Sequence, residues 1–134
     1  MDIGHIVEAE VLTLASKLGI DVSLPFGGQL RYDQIWDING KLYKIQIKHA
    51  EEFKGGSYIK LANRTRAGKY EAHEIDGIVT CYKNKLYYIP HDELSSKEKR
   101  LYFYLEKEDA MNYHQVHWAK DFELEIKLNI HGKN

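Results

Sequence analysis

Asp33, Gln46 and Lys48 are a carboxylate, an amide and an ammonium lying on either side of the dipeptide Asn39-Gly40. Asn-Gly is the pair that most favours a two-residue type I′ turn, because both central positions need φ > 0. With Ile38 set opposite Lys41, Trp36 faces Tyr43, Asp33 faces Gln46 and Arg31 faces Lys48. Directly opposed side chains have Cβ atoms about 5 Å apart, and the long stem of Lys48 reaches diagonally. The chemistry this brings together is that of a hard cation. Asp33, Gln46 and the Ile47 carbonyl supply oxygen ligands, and Lys48 can hold a nucleophilic water or offset phosphate charge.

The element that must position them is a hairpin from Leu30 to Ala50. Side chains alternate along a strand, so Tyr32, Trp36, Tyr43, Ile45 and Ile47 share the opposite side, which suits a core. An Asp followed by Gln-x-Lys also occurs on solvated strand faces, so the rest of the chain has to support the site. Before the hairpin, Asp2 is a candidate N-cap. Ile3, Ile6, Val7, Val11, Leu14 and Leu18 then recur at helical spacing until Gly19 offers a C′ residue. On this helix Glu8 lies beside the apolar stripe and Glu10 lies nearer Leu14 and Lys17. Spacing alone allows either to be a solvated flanking glutamate. Asp21 to Leu24 reads as a short strand, and Gly27-Gly28 is too short for a phosphate-binding loop.

After the hairpin, Glu51 to Ser57 reads as a polar turn and Ser57 to Ala62 as a strand. Asn63 to Glu74 has no apolar period and is rich in Arg, Lys and Gly, which predicts a basic loop. There Arg64, Arg66 and Lys69 can meet phosphates and Tyr70 can stack or hydrogen-bond. An ordinary solvated loop has the same composition. Ile78 to Tyr82 and Leu86 to Pro90 form a second predicted hairpin about Lys83-Asn84-Lys85, and Leu101 to Leu105 a further strand. Lys107 to Asn129 admits two readings. Ala110, Met111, Val116, Trp118 and Phe122 fit broken helical turns, whereas Phe122, Leu124, Ile126 and Leu128 alternate like a strand.

The 134 residues, 43% hydrophobic, suit one globular domain spanning 1–134. No apolar run approaches the ~18 residues of a membrane span and no secretion signal opens the chain, so a soluble, cytoplasmic protein is expected. Cys81 is a small core residue rather than a nucleophile. His114 and His117 lack a third ligand spaced to complete a zinc site. The net charge is −1, yet nine Lys or Arg lie between Arg31 and Lys69 against four Asp or Glu, an excess of +5 with −6 elsewhere. A basic middle around the candidate site suits a phosphodiester substrate.

Arg31-Tyr32-Asp33 followed by Gln46-Ile47-Lys48 resembles the signature of the PD-(D/E)XK nucleases, with no proline before the Asp and Gln46 in the usual acidic place. Further matches are Glu8, Val22-Ser23-Leu24-Pro25, Arg64 with Tyr70, and Ile75-Asp76 leading into Ile78 to Tyr82. Leu86 to Pro90 and Trp118 to Leu124 complete the series. The chain is similar to a small PD-(D/E)XK endonuclease of the group that includes cyanobacterial intron-encoded homing endonucleases. The resemblance implies an α/β, restriction-endonuclease-like core, a mixed central sheet flanked by helices. It implies a Mg2+-dependent DNA endonuclease (Mn2+ as substitute), with Glu8 joining Asp33, Gln46 and Ile47 at the cation and Lys48 completing the catalytic set. DNA would be bound by Arg31, Arg64, Arg66, Lys69 and Tyr70, in a homodimer or homotetramer with no membrane partner. Holliday junction resolvases share the core, and an inactive DNA-binding protein of the same fold is the alternative that Gln46 raises.

Overall fold

The computed structural model describes residues 3–28, 30–53, 58–65, 68–94, 99–105 and 117–130. The expected N-cap at Asp2, the first part of the ambiguous stretch (residues 107–116, with Ala110, Met111, His114 and Val116), and Arg66 lie outside these residues.

Asn39 and Gly40 carry φ of 53° and 87°, the pair of left-handed conformations that a type I′ turn requires. They join β2 (Gln34–Ile38) to β3 (Lys41–Ile47) in the expected register, with Ile38 opposite Lys41 and Trp36 opposite Tyr43. A second left-handed pair, Lys83 at 48° and Asn84 at 62°, joins β8 (Gly77–Tyr82) to β9 (Lys85–Pro90). With β1 (Asp21–Ser23), these strands form a five-stranded sheet in the order β1-β2-β3-β8-β9, antiparallel except for the β3–β8 pair. β3, which carries Gln46, is the central strand.

A second, four-stranded sheet has the order β11-β10-β5-β4, built from β4 (Glu51–Phe53), β5 (Tyr58–Ala62), β10 (Arg100–Tyr104) and β11 (His117–Trp118). The first three residues of the turn expected from Glu51 to Ser57 are therefore a strand, and residues 54–57 lie outside the described residues. The pairing of that strand with β5 stacks Phe53 on Tyr58 at a centroid distance of 5.4 Å, a gain that two consecutive glutamates conceal in the sequence. The expected loop after Asn63 likewise contains a small hairpin, β6 (Arg64–Thr65) with β7 (Gly68–Lys69). The last described segment takes helical turns, a 3-10 turn at Ala119–Phe122 and the single-turn α2 at Leu124–Lys127.

The five-stranded sheet is buried on both faces. On one side α1 (Ile3–Lys17) inserts Val7, Val11 and Ala15 against Trp36, Ile45, Ile47 and Val79. On the other, Ile78, Tyr87 and Ile89 meet Ile59, Leu61, Leu101 and Phe103 of the second sheet. This is a mixed α/β fold, as expected, with sheet rather than helix covering the second face. Two core assignments change. Ile3 and Ile6 are 56% and 42% exposed, because the buried stripe of α1 begins only at Val7. Tyr32 packs on the second core, not beside Trp36.

Candidate active site

Tyr32 changes sides because the ladder slips by one residue at the start of β2. The Asp33 N–H donates to the Ile45 carbonyl at 2.7 Å, although the paired register places Ile45 opposite Gln34. Two residues thus oppose one, as in a β-bulge, and such an extra residue re-aims its own side chain. The Asp33 carboxylate turns across the strand end, and its Oδ2 accepts the Ile47 N–H at 2.8 Å. Oδ1 makes no hydrogen bond among the described residues. The two residues expected to supply a cation with a carboxylate and a backbone carbonyl are therefore fastened to each other.

Gln46 pairs with Ile78, so it projects from the face on which the second sheet packs. Its amide lies 3.4 Å from the Ile47 carbonyl, donating from Nε2. An amide turned over has nearly the same shape. In that orientation its oxygen lies beside the Ile47 oxygen, an arrangement that a cation favours and that nothing else in the pair satisfies. Lys48 follows on the same face, half-buried. Burial pushes its pKa below the usual lysine value, the Asp33 charge acts against that, and the Arg31 charge adds to it.

Glu8 reaches the site from the helix. Glu8 and Asp33 line one open cleft of about 530 Å3, which Leu24, Pro25, Gly27, Gly28 and Leu30 also line. Sequence reasoning missed the residue that sets this approach. Gln34, only 2% exposed, donates from Nε2 to the Glu8 carbonyl at 3.2 Å and accepts the Trp36 indole N–H at 2.9 Å. A buried amide bound on both sides fixes α1 against β2 one residue from Asp33. Its signal was available, since Gln34 shares strand parity with Trp36 and is a polar residue on the core face.

The expected DNA-binding residues divide. Lys69 is exposed on β7. Arg31 is spent internally. Its Nη2 donates to the carbonyls of Gly68 at 3.2 Å and Lys69 at 3.1 Å, and its Nη1 pairs with Glu74 at 3.2 Å. Tyr70 is 5% exposed, so its ring offers no open face to a base, contrary to the stacking role expected of it. Burial beneath the two cations is the reason. The Arg31 guanidinium lies 4.8 Å and the Lys48 ammonium 5.3 Å from its ring centroid. The backbone of Arg64 lies on β6, and Arg66 is outside the described residues.

As a donor set for a divalent ion, Asp33, Glu8, the Gln46 amide and the Ile47 carbonyl are all oxygen, which suits Mg2+ or Mn2+ rather than zinc. Among the described residues no group of three or more His, Cys, Asp or Glu gathers, at this site or elsewhere, so the set relies on two carboxylates completed by amide and carbonyl oxygens. The Asp33 Oδ1 and the Ile47 oxygen fit the requirement, and Lys48 stands where an electropositive group is needed.

A family model for PD-(D/E)XK endonuclease matches residues 1–125. The chain belongs to the PD-(D/E)XK endonuclease family. A solved structure of a bacterial homing endonuclease, I-Ssp6803I, superposes with a TM-score of 0.71 at 22% identity, covering 95% of this chain and 88% of that one. That likeness shows the shared fold. No curated protein sequence matches the chain. Family membership supports a nuclease function and implies DNA as the substrate class. Among the described residues no helix is long and apolar enough to cross a membrane.

Proposed function

We propose that this chain is a divalent-metal-dependent endonuclease that hydrolyses DNA phosphodiester bonds at Asp33, Gln46 and Lys48. The observation that carries it is the Asp33–Ile47 bond. It brings the Asp33 carboxylate, the Ile47 carbonyl and the Gln46 amide to the same strand end as Lys48. Asp33, Gln46, the Ile47 carbonyl and Glu8 from the facing helix would hold the ion, Mg2+ in the cell or Mn2+ in its place. Bound there, it would supply Lewis-acid stabilisation of phosphate charge and a lowered pKa for water. The Lys48 ammonium donates hydrogen bonds, and in this position it orients the attacking water and offsets charge on the pentacovalent phosphate. Half-burial strengthens that effect, because charge interactions gain as the local dielectric falls.

Site-specific duplex cleavage of the homing or restriction kind is the mode we infer. It is supported by the fold shared with the homing endonuclease along nearly the whole chain. One chain offers one site, so cutting both strands calls for a symmetric dimer or tetramer. A specific observation supports a second reading, a DNA-binding relic. Gln46 leaves the site with two carboxylates, Asp33 and Glu8, which lowers its attraction for a cation.

Plasmid nicking separates the two. The parent protein cleaves in Mg2+ or Mn2+, not in Ca2+ or EDTA, and Lys48→Ala abolishes cleavage while retaining DNA binding. Cleavage in excess EDTA, or cleavage that survives both Lys48→Ala and Asp33→Ala, refutes this site.

A further inference from the structure

Tyr70 lies in the segment expected to be a basic loop, and it is held there from several sides. Arg31 clamps the two residues before it by their carbonyls and ties Glu74 beyond it, while the His91 ring donates from Nε2 to the Tyr70 carbonyl at 2.8 Å. The ring is packed in the second core with Ile75 and Ile78. Its hydroxyl is buried with no hydrogen-bond partner among the described residues. A buried unpaired hydroxyl is costly, so packing alone favours Phe at this position. What the ring does offer is its π system, over which the Arg31 guanidinium and the Lys48 ammonium both lie.

We propose that Tyr70 is a positioning residue for Lys48, a seat that holds the ammonium at the strand end by its ring and fastens the β6–β7 hairpin to that seat through Arg31. The inference rests on the assignment of Lys48 to the reaction. A flexible four-carbon stem emerging at the end of β3 has many rotamers, and a ring face within about 6 Å attracts the ammonium and narrows them. Arg31 occupies the same ring and bonds the hairpin backbone, so strand pairing at Arg64–Lys69 and the placement of Lys48 depend on one side chain. Phosphates engaged by the exposed Lys69 are thereby referred to the same rigid body as the reacting group.

The test begins with the parent protein free of metal and DNA. Protons on the Lys48 ε-carbon shift upfield in the NMR spectrum because of the ring current of Tyr70. That shift persists in Tyr70→Phe and disappears in Tyr70→Leu. In cleavage assays Tyr70→Leu lowers kcat about tenfold, a loss within reach of a desolvated cation–π contact. KM and DNA affinity in EDTA stay near the parent values, and Tyr70→Phe recovers kcat to within about twofold. Absence of the upfield shift in the parent overturns the proposal without any variant. So does parent-like kcat in a folded Tyr70→Leu, or failure of Tyr70→Phe to recover it, while Lys48→Ala is inactive. If Lys48→Ala cleaves like the parent, the assignment of Lys48 falls and takes this inference with it.

Discussion

The Asp33 carboxylate accepts the backbone N–H of Ile47 at 2.8 Å, so one residue of the site ends the hairpin ladder and holds its neighbour's carbonyl in place. Structure and chemistry can be separated at this bond. Asp33→Asn keeps an oxygen that accepts from Ile47 but lacks the charge; Asp33→Ala loses both. Asp33→Asn is therefore expected to melt within a few degrees of the parent yet not cleave. Asp33→Ala loses cleavage and also about 1–3 kcal/mol of stability, because a half-buried donor is left unpaired. Thermal melts beside plasmid nicking check this. Equal melting of the two variants would mean that the bond carries no stability.

Lys48 is expected to trade stability for function. Its folded-state pKa is lowered mainly by burial, so the folded protein holds this proton less tightly than the unfolded chain does. Below the folded value both states are protonated and the cost of burying the charge is fully present. It declines as pH rises from the folded pKa toward 10.5, the unfolded value. Lys48→Met is thus more stable than the parent at pH 7, and its advantage shrinks as pH rises. Melting curves between pH 7 and 10 test the sign, and a growing advantage would contradict it.

The hairpin carrying the site was legible because its determinants are local. Asn39-Gly40 and Lys83-Asn84 dictate their turns, and strand alternation assigns Trp36, Ile45 and Ile47 to one core. The slip at Asp33 was not legible, since it depends on Tyr32 finding a place on the second core, a contact made with residues far along the chain. Tyr70 and Ile75 were hidden for a similar reason. Two buried residues spaced five apart among polar ones make no periodic pattern, and only Arg31 and the second sheet reveal why they are inside. After Trp118 the period changes within a few residues, from a two-residue strand to a 3-10 turn to one α-turn, so neither reading of alternation could hold throughout.

Thr80 is fully buried in β8, and its Oγ1 has no hydrogen-bond partner among the described residues. Replacing it by the isosteric Val removes an unpaired hydroxyl and keeps the shape that the core packs around. Thr80→Val is expected to raise stability by about 1 kcal/mol and to leave cleavage unchanged. Urea denaturation is the direct measurement. A loss of stability would show that a buried water satisfies the hydroxyl.

The departure from the family pattern at Gln46 gives the sharpest test of the cation site. The Gln46 amide now donates to the Ile47 carbonyl at 3.4 Å. Gln46→Glu sets a carboxylate against that carbonyl and beside Asp33, which is repulsive without a cation and attractive with one. The variant should therefore melt below the parent in EDTA. It should gain more than the parent when Mg2+ is added, because ligand binding stabilises the folded state in proportion to its affinity. The readout is the Mg2+-induced shift in melting temperature, which needs no turnover. A relic that binds no cation shows the loss in EDTA and no recovery. If the variant neither loses stability in EDTA nor gains with Mg2+, Gln46 does not face the cation and the ligand set must be drawn without it.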